Sequence, residues 1–461
     1  MEEQLIEDIH AARAGAGGAN ALVLAFCDPG SFNEYGPLAR GNGGLAGGIG
    51  RVGGHSVVVA CSDGPGSGSD QSKLDRLAAL AVEKALPFVS IAAGARSESW
   101  PSERRGLSPG ASRIGVIDGL CELSGLAPSV SILAGGTVDP TIPALADLVV
   151  ATEDSALGLP GTATRAPGVA AAQGDIDIVV GTASEALLAA REYLLLVLED
   201  RDSGEPSPTA PRVGAIVPEN RRRAYDMRKV IAAISDADGV LELRPAWGPS
   251  LITSLVRIDG RTVGVFANQP MSRIAGAIDA VASDKMCRFI EFCDAYSIPL
   301  LSLIDSPGFY IGKEAEREGI ARHHVRTLSA IEHRDVPMYC VQIRKAYGLG
   351  PLVMRGSWGH LPPELRVAWP TVETGGMSLE GAAYLARRKE ILAAETPEEA
   401  RAIRDEYATT LRARESGVRA GQNFSFDDII LPEETRGRVI AMLALSPRVR
   451  RAAKKTYLDT I

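Results

Sequence analysis

The stretch VPMYCVQIRKAYGLG, residues 336–350, decides the fold of this chain. Its mostly apolar part, from Met338 to Ile343, predicts a strand that is covered on both faces. Gly348 and Gly350 then permit a sharp turn and a close approach of a ligand to the backbone, and a helical segment follows. Backbone N–H groups at such a turn can hold negative charge that develops on an oxygen. From this stretch alone, an ordinary strand-to-helix turn with glycines for packing stays open.

Length and composition bound the class of protein. The 461 residues predict two domains of roughly 200 residues each. The net charge of −8 argues against nucleic acid as a partner. The cysteines show no CxxC pair and the histidines no HExxH spacing, so no metal site is expected. The N-terminus is charged and no apolar run reaches the roughly 20 residues of a membrane span, so we expect a cytoplasmic protein.

The chain also repeats itself once. Arg51-Val-Gly-Gly-His resembles Arg257-Ile-Asp-Gly-Arg, and Leu86-Pro-Phe-Val-Ser resembles Ile298-Pro-Leu-Leu-Ser. A single long period of this kind indicates duplicated domains. A Pro/Ser-rich segment, residues 202–212, predicts the linker, so the expected domains are 1–205 and 216–461. Alternating strands and helices predict an α/β fold with mainly parallel sheets in each.

Motifs along both halves resemble the carboxyltransferase (β) subunits of biotin-dependent acyl-CoA carboxylases. The motifs are Asp28-Pro-Gly-Ser-Phe-Asn-Glu, Tyr225-Asp-Met-Arg, Val263-Gly-Val-Phe-Ala-Asn-Gln-Pro, Asp284-Lys285, Phe292-Cys-Asp-Ala-Tyr, Asp305-Ser-Pro-Gly-Phe, Arg344-Lys-Ala-Tyr-Gly, Ala368-Trp-Pro-Thr and Asp427-Asp-Ile-Ile. The resemblance is close in the second half and looser in the first.

This resemblance implies two tandem crotonase-type domains, each a ββα superhelix. The N-terminal domain would hold acyl-coenzyme A, and the C-terminal domain would hold biotin on a separate carrier protein. In that family the active site forms where the first half of one subunit meets the second half of another. The implied partners are a biotin carboxylase and biotin carrier subunit. The implied assembly is a homo-oligomer, as a dimer or hexamer, or a hetero-oligomer with a paralogue.

The resemblance also implies an oxyanion hole of backbone N–H groups in each domain. The implied donors are Gly308, Gly348, Leu349 and Gly350 in the second domain, and Gly94 and Ala95 in the first. The residues implied to contact coenzyme A or biotin are Arg96, Gly135, Gly136, Phe309, Tyr347 and Lys285. Two of these have a plainer alternative: Tyr347 also suits a packing role, and Lys285 a solvated helix end.

The first domain departs from the family pattern at one donor. Asp139 and Pro140 correspond to Gly348 and Leu349 through the repeat. Proline has no N–H to donate, and a carboxylate nearby opposes an oxyanion. Losing one such donor typically costs about 2.7–4 kcal/mol of transition-state stabilisation. Gly135 and Gly136 would take over if the loop is shortened.

Three functions therefore stay open at this point. The first is a carboxyltransferase that uses the shifted donor. The second is an enzyme with changed chemistry, either a biotin-independent decarboxylase of a malonyl-type thioester or an enzyme with a non-CoA acceptor. The third is a non-catalytic scaffold subunit that pairs with an active paralogue. The chain shows no biotinyl-lysine Ala-Met-Lys-Met motif, so a carrier is expected on another protein.

Overall fold

The structure, a computed structural model, describes residues 18–37, 44–63, 68–94, 115–159, 162–221, 223–356, 363–414 and 416–446. Contacts divide the chain into two compact units, one up to Glu199 and one from Asp200 onward. The short segment Leu243–Trp247 groups with the first unit. Since this segment from the second half of the sequence groups with the first unit, the domain bounds 1–205 and 216–461 stay a prediction.

The first unit is built on a mainly parallel sheet. Within the described ranges its strands run in the order β1-β2-β3-β4-β5-β7-β9, while β6 and β8 form a separate parallel pair. The strands are Asn33–Glu34 (β1), Leu45–Val52 (β2), His55–Ser62 (β3), Phe88–Ala93 (β4), Ser129–Ala134 (β5), Gly136–Val138 (β6), Leu148–Thr152 (β7), Ser155–Leu157 (β8) and Ile178–Val180 (β9). The helices are Gly18–Phe26 (α1), Gly68–Lys84 (α2), Val116–Leu123 (α3), Thr141–Ala144 (α4), Pro167–Ala172 (α5) and Ala183–Leu198 (α6).

The second sheet has the same plan. Its described strands run in the order β10-β11-β12-β13-β14-β15-β17, and β16 pairs with the end of β14. The strands are Val240–Leu243 (β10), Leu251–Ile258 (β11), Arg261–Asn268 (β12), Leu300–Ser306 (β13), Met338–Tyr347 (β14), Leu365–Ala368 (β15), Glu373–Gly375 (β16) and Asp428–Ile429 (β17). Helices of the second unit are Val213–Ile216 (α7), Met227–Ile234 (α8), Ala280–Ala295 (α9), Lys313–Glu318 (α10), Ile320–His333 (α11), Leu349–Met354 (α12), Leu379–Ala386 (α13), Arg388–Ala393 (α14), Pro397–Arg414 (α15), Gly417–Gln422 (α16) and Thr435–Leu445 (α17).

Local sequence explains where helix α8 begins and which face it buries. The Asp226 carboxylate accepts a hydrogen bond from the Arg228 N–H at 3.1 Å, which satisfies one of the free amides of the first turn. Met227, Val230, Ile231 and Ile234 follow at helical spacing, and all are buried in the core of the second unit. Strand β14 is almost wholly buried in the same unit, as the opening stretch predicts.

The repeat is visible as one turn motif that occurs in both units. The hairpins β2–β3 and β11–β12 are each closed by a carboxylate that accepts two backbone N–H groups of the turn. Asp28 accepts from Gly53 and Gly54 at 3.1 and 2.8 Å. Asp236 accepts from Asp259 and Gly260 at 3.0 and 2.8 Å.

An arginine from a helix near the end of each unit completes this motif. Arg191 of α6 donates to Asp28 at 2.9 Å, and Arg436 of α17 donates to Asp236 at 2.8 Å. The Asp28 side chain is 27% exposed and that of Asp236 only 3%. We call this aspartate, with its two turn amides and its arginine, the carboxylate staple of the hairpin. Its presence in both units supports the duplication of one ancestral domain.

The described ranges contain neither membrane-spanning helices nor metal-binding groups of side chains. No helix there is long and apolar enough to cross a membrane. Those ranges also hold no group of three or more His, Cys, Asp or Glu side chains that could bind a metal ion.

The two staples predict unequal losses of stability. Asp236→Ala leaves two turn amides without an acceptor and the Arg436 guanidinium without its carboxylate, with only the Ile234 and Gly204 carbonyls as acceptors, so it should lower the free energy of unfolding by about 3–5 kcal/mol. Asp28→Ala should cost about 1–2 kcal/mol because its surroundings are wetter. Urea titration monitored by circular dichroism measures both. Asp428→Ala, which breaks an exposed ion pair with Arg438, is the control with a change near zero. Equal losses at Asp28 and Asp236 would contradict this account.

Candidate functional site

Two backbone turns of the second unit meet at very short range. One follows β13 at Gly308 and the other follows β14 at Gly348 to Gly350. A Cβ atom on Gly308 would lie 2.7 Å from the Tyr347 carbonyl oxygen, and one on Gly350 would lie 3.2 Å from the Phe309 nitrogen. Gly308 also has a φ of +113°, a conformation that side chains rarely adopt. The structure thus brings together four residues that the sequence analysis named for this site, Gly308, Phe309, Gly348 and Gly350.

The hydrogen bonds of these turns decide which amides can serve a ligand. The Gly348 N–H donates to the Gly375 carbonyl of β16 at 2.9 Å. The Gly308 N–H donates to the Ser306 hydroxyl at 3.1 Å. Both amides are therefore engaged inside the protein, which corrects their prediction as free donors. The reason is local: a neighbouring strand and a serine two residues earlier supply acceptors that the sequence pattern does not reveal.

The adjacent amides are the remaining candidate donors. Leu349 and Gly350 open helix α12, where the first N–H groups lack partners within the helix. Within the residues that the structure describes, neither these two N–H groups nor that of Phe309 has a hydrogen-bond acceptor. The candidate donor set of the second unit is therefore Phe309, Leu349 and Gly350.

Open space borders both turns. A cavity of about 630 Å³ has Gly348 and Leu349 in its wall. Another of about 550 Å³ has Pro307 and Phe309 in its wall. Each is large enough for a group of cofactor size. Amides without acceptors beside such cavities can bind an oxygen that carries negative charge.

A buried ion pair holds the two strands that lead into these turns. Asp305 of β13 is fully buried and accepts from Arg344 Nε of β14 at 3.0 Å. Its other oxygen accepts the Lys345 backbone N–H at 3.1 Å. Arg344 in turn donates to the Arg223 carbonyl at 3.0 Å and lies over the Tyr225 ring. Neither Asp305 nor Arg344 was among the predicted site residues, although both lie in the motifs that carried the resemblance.

A second carboxylate fixes the end of β14. Tyr347 is buried and its hydroxyl donates to Glu373 of β16, so the structure gives it a packing role. Arg412 Nε also donates to Glu373 at 2.8 Å, and Arg221 pairs with the same carboxylate. Burial by itself would raise the pKa of Glu373, but the hydrogen bonds from Tyr347 and Arg412 and the charges of both arginines hold it below its usual value.

Lys285 is buried in the second unit and is not a solvated residue at a helix end. Lys285 is only 2% exposed and its ammonium donates to the Leu251 carbonyl at 2.8 Å, so it cannot reach a coenzyme A phosphate. That prediction was wrong, because the face of α9 that carries Lys285 packs against β11.

Phe309 lines the smaller cavity and stacks on the His324 ring at 3.3 Å between centroids. Burial lowers the pKa of His324 to about 4, so its ring is neutral at pH 7.

Within the described residues of the first unit, the turn that corresponds to Gly348–Gly350 does not repeat the donors at Leu349 and Gly350. Gly136–Val138 (β6) pairs with β8 as the end of β14 pairs with β16, which places Asp139 at the position of Gly348. Asp139 caps the following helix by accepting the Thr141 N–H at 2.8 Å. The Gly135 N–H donates to the Ser155 hydroxyl at 3.0 Å.

These contacts argue against Gly135 and Gly136 as substitute donors. Gly136 lies at the start of β6, before the turn, and Pro140 stands where Leu349 offers an amide. Gly94 follows β4 with a φ of +86°, and a Cβ there would lie 3.0 Å from the Asp63 carbonyl oxygen. Ala95 and Arg96 lie outside the described residues.

Comparison with known proteins gives one family match. The model of the carboxyl transferase domain matches residues 163–457, which contain the two turns of the second unit.

Curated relatives cover more of the chain. The methylmalonyl-CoA carboxyltransferase 12S subunit of Propionibacterium freudenreichii subsp. shermanii is 34% identical over 72% of this chain and 68% of its own. The propionyl-CoA carboxylase beta chain of Roseobacter denitrificans is 30% identical, over 90% and 84%. The biotin-dependent long chain acyl-coenzyme A carboxylase beta4 subunit of Mycobacterium tuberculosis is 33% identical, over 92% and 87%.

Solved structures extend the likeness to the fold. A transcarboxylase 12S hexamer structure with methylmalonyl-coenzyme A bound superposes with a TM-score of 0.78 at 28% identity, over 98% of this chain and 96% of its own. A single-chain, multi-domain long-chain acyl-CoA carboxylase superposes with a TM-score of 0.83 at 29% identity over 95% of this chain. The present chain spans 48% of that larger protein. The tandem crotonase-type α/β fold is thereby confirmed.

The ion cluster around Glu373 predicts acid sensitivity. Because the folded-state pKa of Glu373 lies below the 4.5 of the unfolded chain, its contribution is complete above pH 4.5 and is lost as the pH falls through the folded value. The difference in unfolding free energy between wild type and Glu373→Gln should therefore be largest near pH 6 and shrink on acidification to pH 3.5. Urea titrations at each pH measure it. A difference that stays constant or grows in acid would contradict the assignment.

Proposed function

The chain belongs to the carboxyl transferase domain family, and from that membership we propose that it moves a carboxyl group between biotin on a carrier protein and the α-carbon of an acyl-coenzyme A. The relatives that cover most of the chain are named for this chemistry or for carboxylases that contain it. The decarboxylase and scaffold alternatives have no comparable support.

The observation that carries the proposal is the set of amides at the meeting turns. Phe309, Leu349 and Gly350 present N–H groups without acceptors in the described chain, beside cavities of about 550 and 630 Å³. A urea carbonyl is a strong acceptor, so these residues fit the ring of biotin. When bound, carboxybiotin supplies the activated carboxyl group and its urea oxygen gains negative charge as that group departs.

The chain's own residues stabilise that charge without exchanging a proton. Amides fixed by two strands need little reorganisation, and each is worth about 2.7–4 kcal/mol when it meets the developing oxyanion. The Asp305–Arg344 pair keeps the two strand ends in register, and Glu373 holds Tyr347 next to the second turn. The neutral His324 ring stacks on Phe309 and itself adds no charge beside the first turn.

The first unit is proposed as the acyl-coenzyme A side. Support comes from its fold, which repeats the second unit down to the carboxylate staple of the hairpin. Gly94 stands at the turn after β4, where the family places one donor. Because Pro140 offers no N–H, we propose that the enolate oxygen is held by fewer amides on this side than the urea oxygen on the other.

The proposed partners follow from the family. The carboxyl group would arrive on a biotin carrier that is charged by a biotin carboxylase, and the chain would work as a homo-oligomer, as the transcarboxylase 12S hexamer does, or with a paralogue. We expect at least a dimer. Light scattering coupled to size-exclusion chromatography should give about twice the monomer mass or more at micromolar concentration. A stable monomer of 48.5 kDa would contradict this.

One substitution tests the donor set with little effect on the fold. Leu349→Pro deletes a single N–H at the first residue of α12, a position where proline is well tolerated. It also gives the second unit the residue that the first unit carries at Pro140. With ATP, bicarbonate, a biotin carboxylase, a biotinylated carrier and propionyl-CoA, the variant should lose about 10²- to 10³-fold in kcat.

Leu349→Ala, which keeps the amide, is the matched control and should retain most of the wild-type rate. Thermal unfolding of both variants checks that they fold. Wild-type activity in Leu349→Pro would refute a role for this N–H. Release of CO₂ from malonyl-CoA by the chain alone would instead favour the decarboxylase, and no turnover under either condition would favour the scaffold.

A further inference from the structure

A third cavity lies inside the first unit, on one face of its sheet. It has a volume of about 50 Å³, and residues of strands β2 to β6 and of helices α2, α3 and α4 line it. Its described wall is mainly apolar and contains three serines and one charged residue, Asp139. The oxyanion chemistry proposed for the second unit does not use this space.

Small side chains on neighbouring strands create the cavity. Ala60 of β3, Ser90 of β4 and Ser131 of β5 lie side by side in the register of the sheet, and all three line the cavity. Side chains in one such row point to the same face of a sheet. The Ser90 hydroxyl donates to the Ser131 hydroxyl at 3.1 Å, so this polar pair is already hydrogen-bonded. The row therefore suits an apolar ligand.

A shared hydrogen bond shows which residues of the two units correspond. The Val58 N–H donates to the Pro87 carbonyl at 2.8 Å, and the Gly264 N–H donates to the Pro299 carbonyl at 2.8 Å. Each proline directly precedes the next parallel strand, β4 in the first unit and β13 in the second. Residues of the two sheets can therefore be matched by counting from these bonds.

The second unit carries large side chains where the cavity of the first unit has small ones. By this count Ala60 corresponds to Phe266, which is completely buried. Ala92 of β4 corresponds in the same way to Ile304 of β13, which is also completely buried. The shared fold can therefore be built without this space. Because an empty apolar cavity lowers stability in proportion to its volume, its presence in the first unit points to a ligand.

The cavity extends from the turn proposed for the acyl-coenzyme A into the core. Ala60 and Phe88 are at most 2% exposed and mark its closed end. Ala92 and Asp139 are partly exposed and mark its open end. Ala92 lies two residues before Gly94, the proposed donor of this unit. A chain that enters beside Gly94 points into the cavity, and the Asp139 carboxylate repels a negatively charged one.

The volume sets the length of the chain that fits. A buried water molecule needs about 10–15 Å³ of such space, so the cavity has room for roughly three or four waters. A methylene group is somewhat larger than a water, so the same space takes about two or three carbon atoms.

We propose that this cavity binds the tail of the acyl group. The substrate class is then a short, uncharged acyl-coenzyme A with about two or three carbons beyond the α-carbon, as in butyryl-CoA and valeryl-CoA. Naming this ligand rests on the function proposed for the first unit. Binding of the tail itself does not require that a carboxyl group is transferred.

Calorimetry on the purified full chain tests the cavity without turnover. Butyryl-CoA should bind about tenfold more tightly than acetyl-CoA, since each buried methylene contributes about three- to fourfold. Glutaryl-CoA, which matches valeryl-CoA in length but ends in a carboxylate, should bind at least about tenfold more weakly than valeryl-CoA. Equal affinities within either pair would overturn the proposal, as would a further gain of the same size per methylene from valeryl-CoA to octanoyl-CoA.

Variants of the wall separate binding of the tail from folding. Ala60→Val adds two carbon atoms at the closed end, so it should weaken valeryl-CoA at least about tenfold and acetyl-CoA less than about twofold. Val59→Ile, the matched control, adds bulk on the opposite face of the same strand and should leave the ratio of the two affinities unchanged. Thermal unfolding checks that both fold. An equal loss for both thioesters in Ala60→Val, or no loss for either, would overturn the site.

A second variant changes the cavity in the opposite direction. Ile142→Ala removes part of the wall on α4, so it should raise the affinity for octanoyl-CoA relative to valeryl-CoA at least about threefold. An unchanged ratio would contradict the placement of the tail.

Carboxyl-transfer assays with the carrier system then separate this proposal from the proposed function. The wild type should show a higher kcat/KM for butyryl-CoA and valeryl-CoA than for acetyl-CoA. Equal kcat/KM for all three would overturn the role of the cavity and leave the carboxyl transfer intact. If the predicted binding preferences are found and no acyl-CoA is carboxylated, the carboxyl-transfer proposal fails while the acyl cavity stands.

Discussion

The turns after β13 and β14 can approach each other only because positions 308 and 350 carry no side chain. A Cβ at 308 would press on the Tyr347 carbonyl, and one at 350 would press on the backbone of the opposite turn. This contact brings Gly350 against the backbone of Phe309, and the N–H groups of Phe309, Leu349 and Gly350 have no acceptor in the described chain. The proposed chemistry depends on that geometry.

Charged groups buried beneath the turns keep that geometry rigid. Asp305 and Arg344 are almost inaccessible to water, and each finds further partners beyond the other. A buried pair of this kind adds little net stability compared with an apolar pair, yet removal of one member is costly. The pair therefore favours the observed register, because a shift of one strand would leave both charges buried without these partners. Glu373 does the same for the end of β14 by binding Tyr347 and two arginines. None of these groups needs to change its protonation state for the amides to work.

Much of the fold could be predicted from the sequence, because it depends on patterns that are local or repeated. The buried strand before Gly348, the duplication and the family follow from apolar runs, offsets and motifs. The donor assignment could not be predicted to the residue, since it depends on one acceptor that the tertiary fold brings from β16 and on the orientation of one nearby serine hydroxyl. Gly348 is engaged by β16 and Gly308 by Ser306, and neither partner is marked in the local pattern. Lys285 was misplaced for the same reason.

The two units have kept their shared architecture and diverged at the turn that faces the chemistry. Both staple their hairpin with an aspartate, yet Asp139 and Pro140 occupy the place of Gly348 and Leu349. The most direct measurement is a crystal structure of the chain with biotin bound. The account predicts that the urea oxygen lies about 2.7–3.1 Å from backbone nitrogens among Phe309, Leu349 and Gly350. A urea oxygen bound elsewhere, with those amides turned away from the cavity, would contradict it.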